Sequence, residues 1–439
     1  MYYGIIGLIL PLRMTEPSKN LTQPANNQFF LIVILGLLSA IGPFSIDMYL
    51  PGFPSIAADL RTTVARVALS LSSFFIGISA GQFLYGPLLD RYGRKKPLYF
   101  GISLYLVASA CCVLVHSVEA LIVLRLFQAL GACAGLVASR AMVRDLFHVS
   151  QNARIFSLLM LVVGVSPIIA PTLGGYIAEY LNWKYIFVVL TIIAAIILIA
   201  VHFALPESKE PDRQLSLRPG PIMKGFLGVM REPQFYTYAL TGAIAASGLY
   251  AYIAGSPYVF MELYKVSERQ YGWIFALIAM GLVGSSQLNT VLLRSYKSEQ
   301  IIKFALLIQS IVGIILFTGS FLGWMDLYST IFFIFLFLCC QGCSFPNSSA
   351  LSLAPFSRNA GTASALLGGI QMSVGALVSA TVSLLNNRTP LPMTGAMAIC
   401  ALMGFTMLTI GSRVIRKRTC RQASQLEIEE QSADMMSTS

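Results

Sequence analysis

Long apolar runs recur along the chain, separated by short stretches of charged and turn-forming residues. They occupy positions 29–58, 67–89, 97–116, 119–143, 155–179, 185–204, 235–260, 269–293, 300–323, 327–350, 361–386 and 391–412. An α-helix needs roughly 20 residues to cross the hydrocarbon core of a bilayer, so the pattern predicts twelve transmembrane helices. Runs such as 29–41 and 186–204 are apolar on nearly every face, whereas the strands of a membrane barrel alternate apolar and polar positions. A barrel is therefore excluded. The first run is longer than a bilayer requires and contains Pro51 and Pro54, which predicts a kinked or irregular distal part. Between runs six and seven, positions 205–234 are more polar and much longer than the other connections. They read as a linker between two six-helix bundles, 29–204 and 235–412, flanked by an N-terminal segment, 1–28, and a tail, 413–439. The polar, acidic end of that tail, from Gln422, is expected to be disordered. A polar stretch opens at Met14, so the residues before it read as an extension upstream of the true start.

Composition supports this reading. Of 439 residues 56% are hydrophobic and 11% charged, against roughly 25% charged in soluble domains. About 246 apolar residues suffice for twelve spans. The formal charge of +11 does not indicate nucleic acid, because the basic residues fall in short clusters between apolar runs. Counted on alternate sides of the twelve spans, 23 Lys and Arg lie on the side holding both termini and 6 on the other, with Arg125 inside a span. Cytoplasmic loops collect positive charge, so both termini are expected in the cytoplasm. Cys111, Cys112, Cys133, Cys339, Cys340, Cys343 and Cys400 lie in or beside apolar runs and are expected to be reduced thiols packing as small hydrophobes. No cleavable signal peptide precedes the first span.

The halves carry a faint repeat. Leu88-Leu89-Asp90-Arg91-Tyr92 is answered 204 residues later by Leu292-Leu293-Arg294-Ser295-Tyr296, and Gly174-Gly175 is answered 194 residues later by Gly368-Gly369. Repeated halves about a central site are a transporter architecture. After span two comes Gly86-Pro87-Leu88-Leu89-Asp90-Arg91-Tyr92-Gly93-Arg94-Lys95-Lys96: Gly86 would permit close helix approach, Gly93 a tight reversal, and Asp90 sits among four cations. Asp47 and Arg125 are the ionisable residues most clearly inside spans. Such groups cost several kcal/mol unless paired or hydrated, which makes function the default reading. The competing readings are snorkelling near an interface and a structural ion pair. Gly164, Pro167, Pro171, Gly174 and Gly175 loosen span five for packing or gating. Tyr250 is deep enough to face a cavity, whereas Gln287, Gln309, Gln341, Asn347 and Gln371 suit helix–helix hydrogen bonding as well as ligand contact. His116, His148 and His202 show no metal spacing, and no nucleotide-binding loop or hydrolase signature is present. The chain thus reads as neither an enzyme nor a cofactor or metal protein, and transport would draw on a gradient.

The loop from Gly86 to Lys96 closely resembles the signature loop of the major facilitator superfamily. Ser45-Ile46-Asp47-Met48-Tyr49-Leu50-Pro51, Arg125-Leu126-Phe127-Gln128, Arg144-Asp145-Leu146-Phe147, Ala170-Pro171-Thr172-Leu173-Gly174-Gly175 and Ala360-Gly361-Thr362-Ala363-Ser364-Ala365 resemble the Bcr/CflA group of drug:proton antiporters. Ala129 and Ala170 stand where that group's motifs favour glycine. The resemblance implies an all-α fold of twelve helices in two bundles, residing in a bacterial inner membrane. It also implies export of drug-like amphiphiles against protons by alternating access, with the monomer as the working unit and with protons, drug and lipid as the partners. Asp47 and Arg125 would serve proton coupling. Gly86, Asp90, Arg91, Gly93, Arg94, Pro171, Gly174 and Gly175 would serve conformational gating, Asp90 and Arg94 clamping the cytoplasmic ends of the halves together in the outward-facing state. Tyr250, Gln128 and Gln371 are the candidate substrate contacts. The rival readings are a proton-coupled importer of a nutrient on the same fold and, from another class, a membrane-embedded enzyme or receptor.

Overall fold

The computed structural model describes residues 25–147, 149–212, 219–356 and 360–437. Within them every regular element is helical: α1 (Ala25–Asp47), α2 (Phe53–Asp59), α3 (Val64–Tyr92), α4 (Lys95–Val113), α5 (Val118–Leu146), α6 (Val149–Tyr180) and α7 (Lys184–Ala204) form the first half. A linker helix α8 (Pro219–Met230) precedes the second half, α9 (Pro233–Pro257), α10 (Glu268–Leu292), α11 (Ser298–Phe321), α12 (Leu327–Leu353), α13 (Ala360–Leu384) and α14 (Leu391–Ser437). Eleven of the candidate spans are long and apolar enough to cross a bilayer. The twelfth, α9, has the length, 25 residues, but is rich in Gly, Ala, Ser and Tyr, as suits a helix packed on protein on most sides.

The irregularity expected in the first span is a break: α1 stops at Asp47, a 3-10 turn covers Leu50–Gly52, and α2 resumes. Pro51 lacks the N–H that a continuous helix would need there. The linker carries a helix of its own, α8, and one expectation is corrected. The tail is helical to Ser437, because its Gln, Glu, Met and Ala residues favour the helix already running through the last span.

The helix ends define two faces. One, the basic face, carries the Arg91–Lys96 loop and the segment 205–212. At the other, the far face, four helices start on side-chain caps: Thr63 accepts from Arg66 N at 3.3 Å, Ser117 from Ala120 N at 3.3 Å, Ser267 from Gln270 N at 3.3 Å and Asp326 from Ser329 N at 2.9 Å. Such caps satisfy amides that begin a helix without a partner.

The halves meet along two seams, α3 with α13 and α6 with α10. At the far face a single core draws on both halves, with Tyr49, Phe53, Leu71 and Phe187 beside Tyr252, Phe260, Tyr271 and Phe337. Towards the basic face the buried cores separate into one from the first half, including Leu38, Tyr85, Leu98 and Met142, and two from the second, around Phe235 and Leu366 and around Ile302 and Leu306. Phe83 of α3 still reaches across there, its ring 5.4 Å from that of Phe226 on α8. The molecule is therefore sealed at the far face and parted at the basic face.

Candidate functional site

Arg125 lies fully buried on α5, where its guanidinium is held by the first half alone. It donates to the Gln128 side-chain oxygen at 2.6 Å and to the Ser45 carbonyl at 2.9 Å. Beside it sit the rings of Phe74, at 4.3 Å from the ring centre, and Tyr49, at 4.5 Å. Gln128 passes the network on, donating to Ser109 Oγ at 2.7 Å; Ser109 donates to the Tyr105 carbonyl, and the Tyr105 hydroxyl meets Ser45 Oγ at 2.6 Å. No carboxylate belongs to this network among the described residues. A buried cation costs several kcal/mol, and two aromatic faces at up to about 2 kcal/mol each with two charge-assisted hydrogen bonds at about 1.5–3 kcal/mol each are of the size needed to offset it.

Asp47, two residues beyond Ser45, does not join it. Its side chain is buried and forms no ion pair or hydrogen bond among the described residues. It lies instead within electrostatic reach of Tyr252 and Tyr271 in the second half. The Tyr271 hydroxyl meets Ser256 Oγ at 2.8 Å, and the Tyr252 hydroxyl is buried close to the same serine. The acid thus sits on the seam between the halves and the cation inside one of them.

Two glycine crossings close the far face around Asp47. Gly174 lies so close to the Met48 carbonyl that a Cβ would overlap it, and a Cβ on Gly175 would lie 2.6 Å from the Glu268 carbonyl oxygen. From the other side, a Cβ on Gly272 would lie 2.5 Å from the Pro171 carbonyl oxygen. Pro171 and Gly175 thus form the α6 side of the α6–α10 seam, whereas Gly174 seats α6 on the break after α1 within the first half, and Ser55 hydrogen-bonds to Glu268 beside the seam. Gly368 and Gly369 of α13 both pack across the halves, on the side chains of Gln82 and Phe83 of α3, so of the first pair only Gly175 has a comparable place between the halves.

At the basic face Arg94 bridges Asp90, at 3.0 Å, and Asp145, at 2.7 Å. Lys209 reaches Asp90 at 2.7 Å, and Glu207 accepts from the Arg94 and Lys95 amides at 2.6 and 3.1 Å. Gly93 makes the turn with φ +82°, a conformation open to glycine at little cost. The clamp expected between the halves belongs to the outward-facing state, and in the present one the ion-pair partners of Asp90 and Arg94 among the described residues are in the first half or the linker. Gly86 makes no close helix approach here, since a Cβ there would meet nothing within 4 Å. Asp145, Glu207 and Lys209 were missed as partners, although the Arg144-Asp145-Leu146-Phe147 motif flagged the first of them.

Between the halves at this face is a cavity of about 260 Å³. One face of α3 (Gln82, Gly86, Leu89, Asp90), one of α5 (Val137, Arg140, Ala141, Arg144) and one of α13 (Gly361, Ser364, Ala365) line it, with Phe156. None of Tyr250, Gln128 and Gln371 does. Tyr250 packs edge-on to Phe75 at 4.8 Å, Gln128 is spent on Arg125 and Ser109, and Gln371 donates to Ser349 at 3.4 Å. Helix–helix bonding accounts for Gln309 with Gln341, 2.9 Å, and Asn347 with Asn289, 2.6 Å; Gln287 is exposed. His148 lies outside the described residues.

Two six-helix halves, sealed at one face and parted over a cavity at the other, define a polytopic membrane transporter. The chain belongs to the major facilitator superfamily: the pattern of the Major Facilitator Superfamily matches residues 35–380. It is 32% identical to an uncharacterized MFS-type transporter, YdgK, of Bacillus subtilis over 85% of this chain and 93% of that protein. It is 29% identical to a bicyclomycin resistance protein homolog of Haemophilus influenzae, over 89% and 98%, and 26% identical to multidrug resistance protein D of Escherichia coli, over 87% and 93%. These relatives agree with the Bcr/CflA motifs. A crystal structure of a D-xylose-proton symporter shares the fold at a TM-score of 0.69 and 13% identity, over 87% of this chain and 98% of that one.

Proposed function

We propose that the chain exports drug-like amphiphiles across the bacterial inner membrane in exchange for protons, with both termini in the cytoplasm. The drug-resistance names of its relatives support the export reading, and the excess of Lys and Arg at the basic face supports the orientation. On this reading the basic face is cytoplasmic and the structure is the inward-open state. The observation that carries the coupling is the burial of Asp47, without an ion pair, on the seam facing Tyr252 and Tyr271. Opening the far face would hydrate the acid and let it take up a proton from outside; closing buries it in neutral form. Approach of substrate or of Arg125 then favours ionisation, with release inward. Gly175 and Pro171 hold the far seam, Gly174 fixes α6 to the break after α1 beside it, and the Asp90–Arg94 loop, with Gly86, Arg91 and Gly93, governs closure at the basic end. Tyr250, Gln128 and Gln371 support this cycle through packing and the Arg125 network.

Proteoliposomes with an imposed pH gradient and radiolabelled chloramphenicol test the proposal. The wild type is expected to move the drug uphill, with protons moving the other way. Asp47→Asn keeps the size of the side chain and removes its proton, so drug-driven proton release should vanish while binding persists. Uphill transport by Asp47→Asn with the wild-type pH dependence would remove Asp47 from the role of proton carrier.

A further inference from the structure

The cavity at the basic face holds two cations that nothing in the gating network uses. Arg140 and Arg144 stand one turn apart on α5 and both line it. Arg140 is partly enclosed and Arg144 exposed, and among the described residues neither arginine has an ion pair or hydrogen bond. The neighbouring carboxylates are already committed: Asp90 to Arg94 and Lys209, Asp145 to Arg94 and Ser208, and Glu207 to the Arg94 and Lys95 amides. The opposite side of α5 is fixed, with Ser139 bonded to Ser39 of α1 at 2.8 Å and Gly135 packed on the Leu38 carbonyl, so this face stays turned to the cavity. Like charges one turn apart repel, and an enclosed guanidinium without an anion is costly. An anion between them relieves both.

We propose that this cavity is an anion-recognising entry subsite, in which Arg140, assisted by Arg144, captures the carboxylate of an amphiphilic acid or zwitterion before it passes between the halves. Gln82 and Ser364 offer further donors to the same group, and Leu89, Val137, Ala365 and Phe156 give an apolar wall for the body of the molecule. The forked, planar guanidinium suits a carboxylate. The proposal rests on the export reading and narrows its substrates towards acids. An anionic lipid headgroup presents related chemistry and is separated in the test.

Binding of tritiated 2-naphthoate and of 2-naphthamide, which differ in charge and hardly in shape, would be measured by equilibrium dialysis on the full chain in phosphatidylcholine nanodiscs. A charge-assisted hydrogen bond corresponds to about tenfold or more in affinity, so the acid should bind about tenfold tighter than the amide. Arg140→Gln should bring the acid to the level of the amide, and Arg140→Lys should keep part of the preference, which separates a lost anion site from a misfolded protein. Equal binding of acid and amide by the wild type, an unchanged preference in Arg140→Gln, or equal losses for both ligands would overturn the proposal. Adding phosphatidylglycerol identifies the source: suppression of the acid preference assigns the subsite to a lipid phosphate, and persistence assigns it to a soluble acid. Failure of chloramphenicol transport with the acid preference intact would count against export alone.

Discussion

Arg125 is held in the bilayer interior by rings and amide oxygens. Lysine at the same place would keep the charge, but its compact ammonium lacks the planar fork that meets Gln128 and Ser45 together close to the rings of Tyr49 and Phe74. Losing one charged hydrogen bond and part of the stacking should cost Arg125→Lys about 2 kcal/mol, seen as a lowered thermal unfolding midpoint of the purified protein. An unchanged midpoint would mean that the fork and the rings add nothing beyond the charge. That Asp47 and Arg125 are special was legible in the sequence, since ionisable residues inside apolar runs stand out. Their separation was not. Counting residues from the ends of a span gives depth but not direction around the helix, and α1 ends at Asp47, so no helical periodicity carries past it. The partners of Arg125 were also hidden, because Tyr49, Phe74 and Ser45 look like ordinary packing residues in a linear reading.

Helix crossings depend on residues whose importance is the absence of a side chain. Gly175 and Gly272 bring α6 and α10 together through backbone that cannot yield, so Gly175→Ala should push the two helices apart and loosen the far face. A single cysteine replacing the buried Ser256, in an otherwise cysteine-free protein, should then react with a maleimide several-fold faster in the Gly175→Ala background. Gly284→Ala, on the exposed side of the same α10 and meeting no neighbour, is the control and should leave the rate unchanged. Equal rates in all three proteins would show that the α6–α10 seam does not seal that face. The glycine pairs were visible as a repeat, but what each one touches depends on the state of the molecule, which is why Gly86 was read as a packing residue and has open space beside it. The spans were legible because an apolar run of about 20 residues has few other uses. Helix α8 was not, because its 12 residues are too few to cross a bilayer and it lies within a proline-containing connection.

At the scale of the whole molecule, the cycle requires the sealed and the parted face to exchange, and the loop after α3 is placed to govern that exchange. In the present state Asp90 is shared by Arg94 and Lys209 and is itself partly exposed, so its ion pairs add little to stability. Their value lies in holding Arg94 and the segment 205–212 in one arrangement at the rim of the cavity, opposite Gly361 and Ser364 of α13. The pairing expected from the sequence ran between the halves; the partners found here belong to the first half and the linker, so the loop must change partners for the basic face to close. Asp90→Asn keeps the shape and removes the charge that organises two cations. It should slow transport several-fold in proteoliposomes while leaving equilibrium binding of chloramphenicol near the wild-type value and the unfolding midpoint nearly unmoved. A large loss of binding, with normal turnover of whatever still binds, would instead make Asp90 part of the substrate site and leave the exchange of faces to another group.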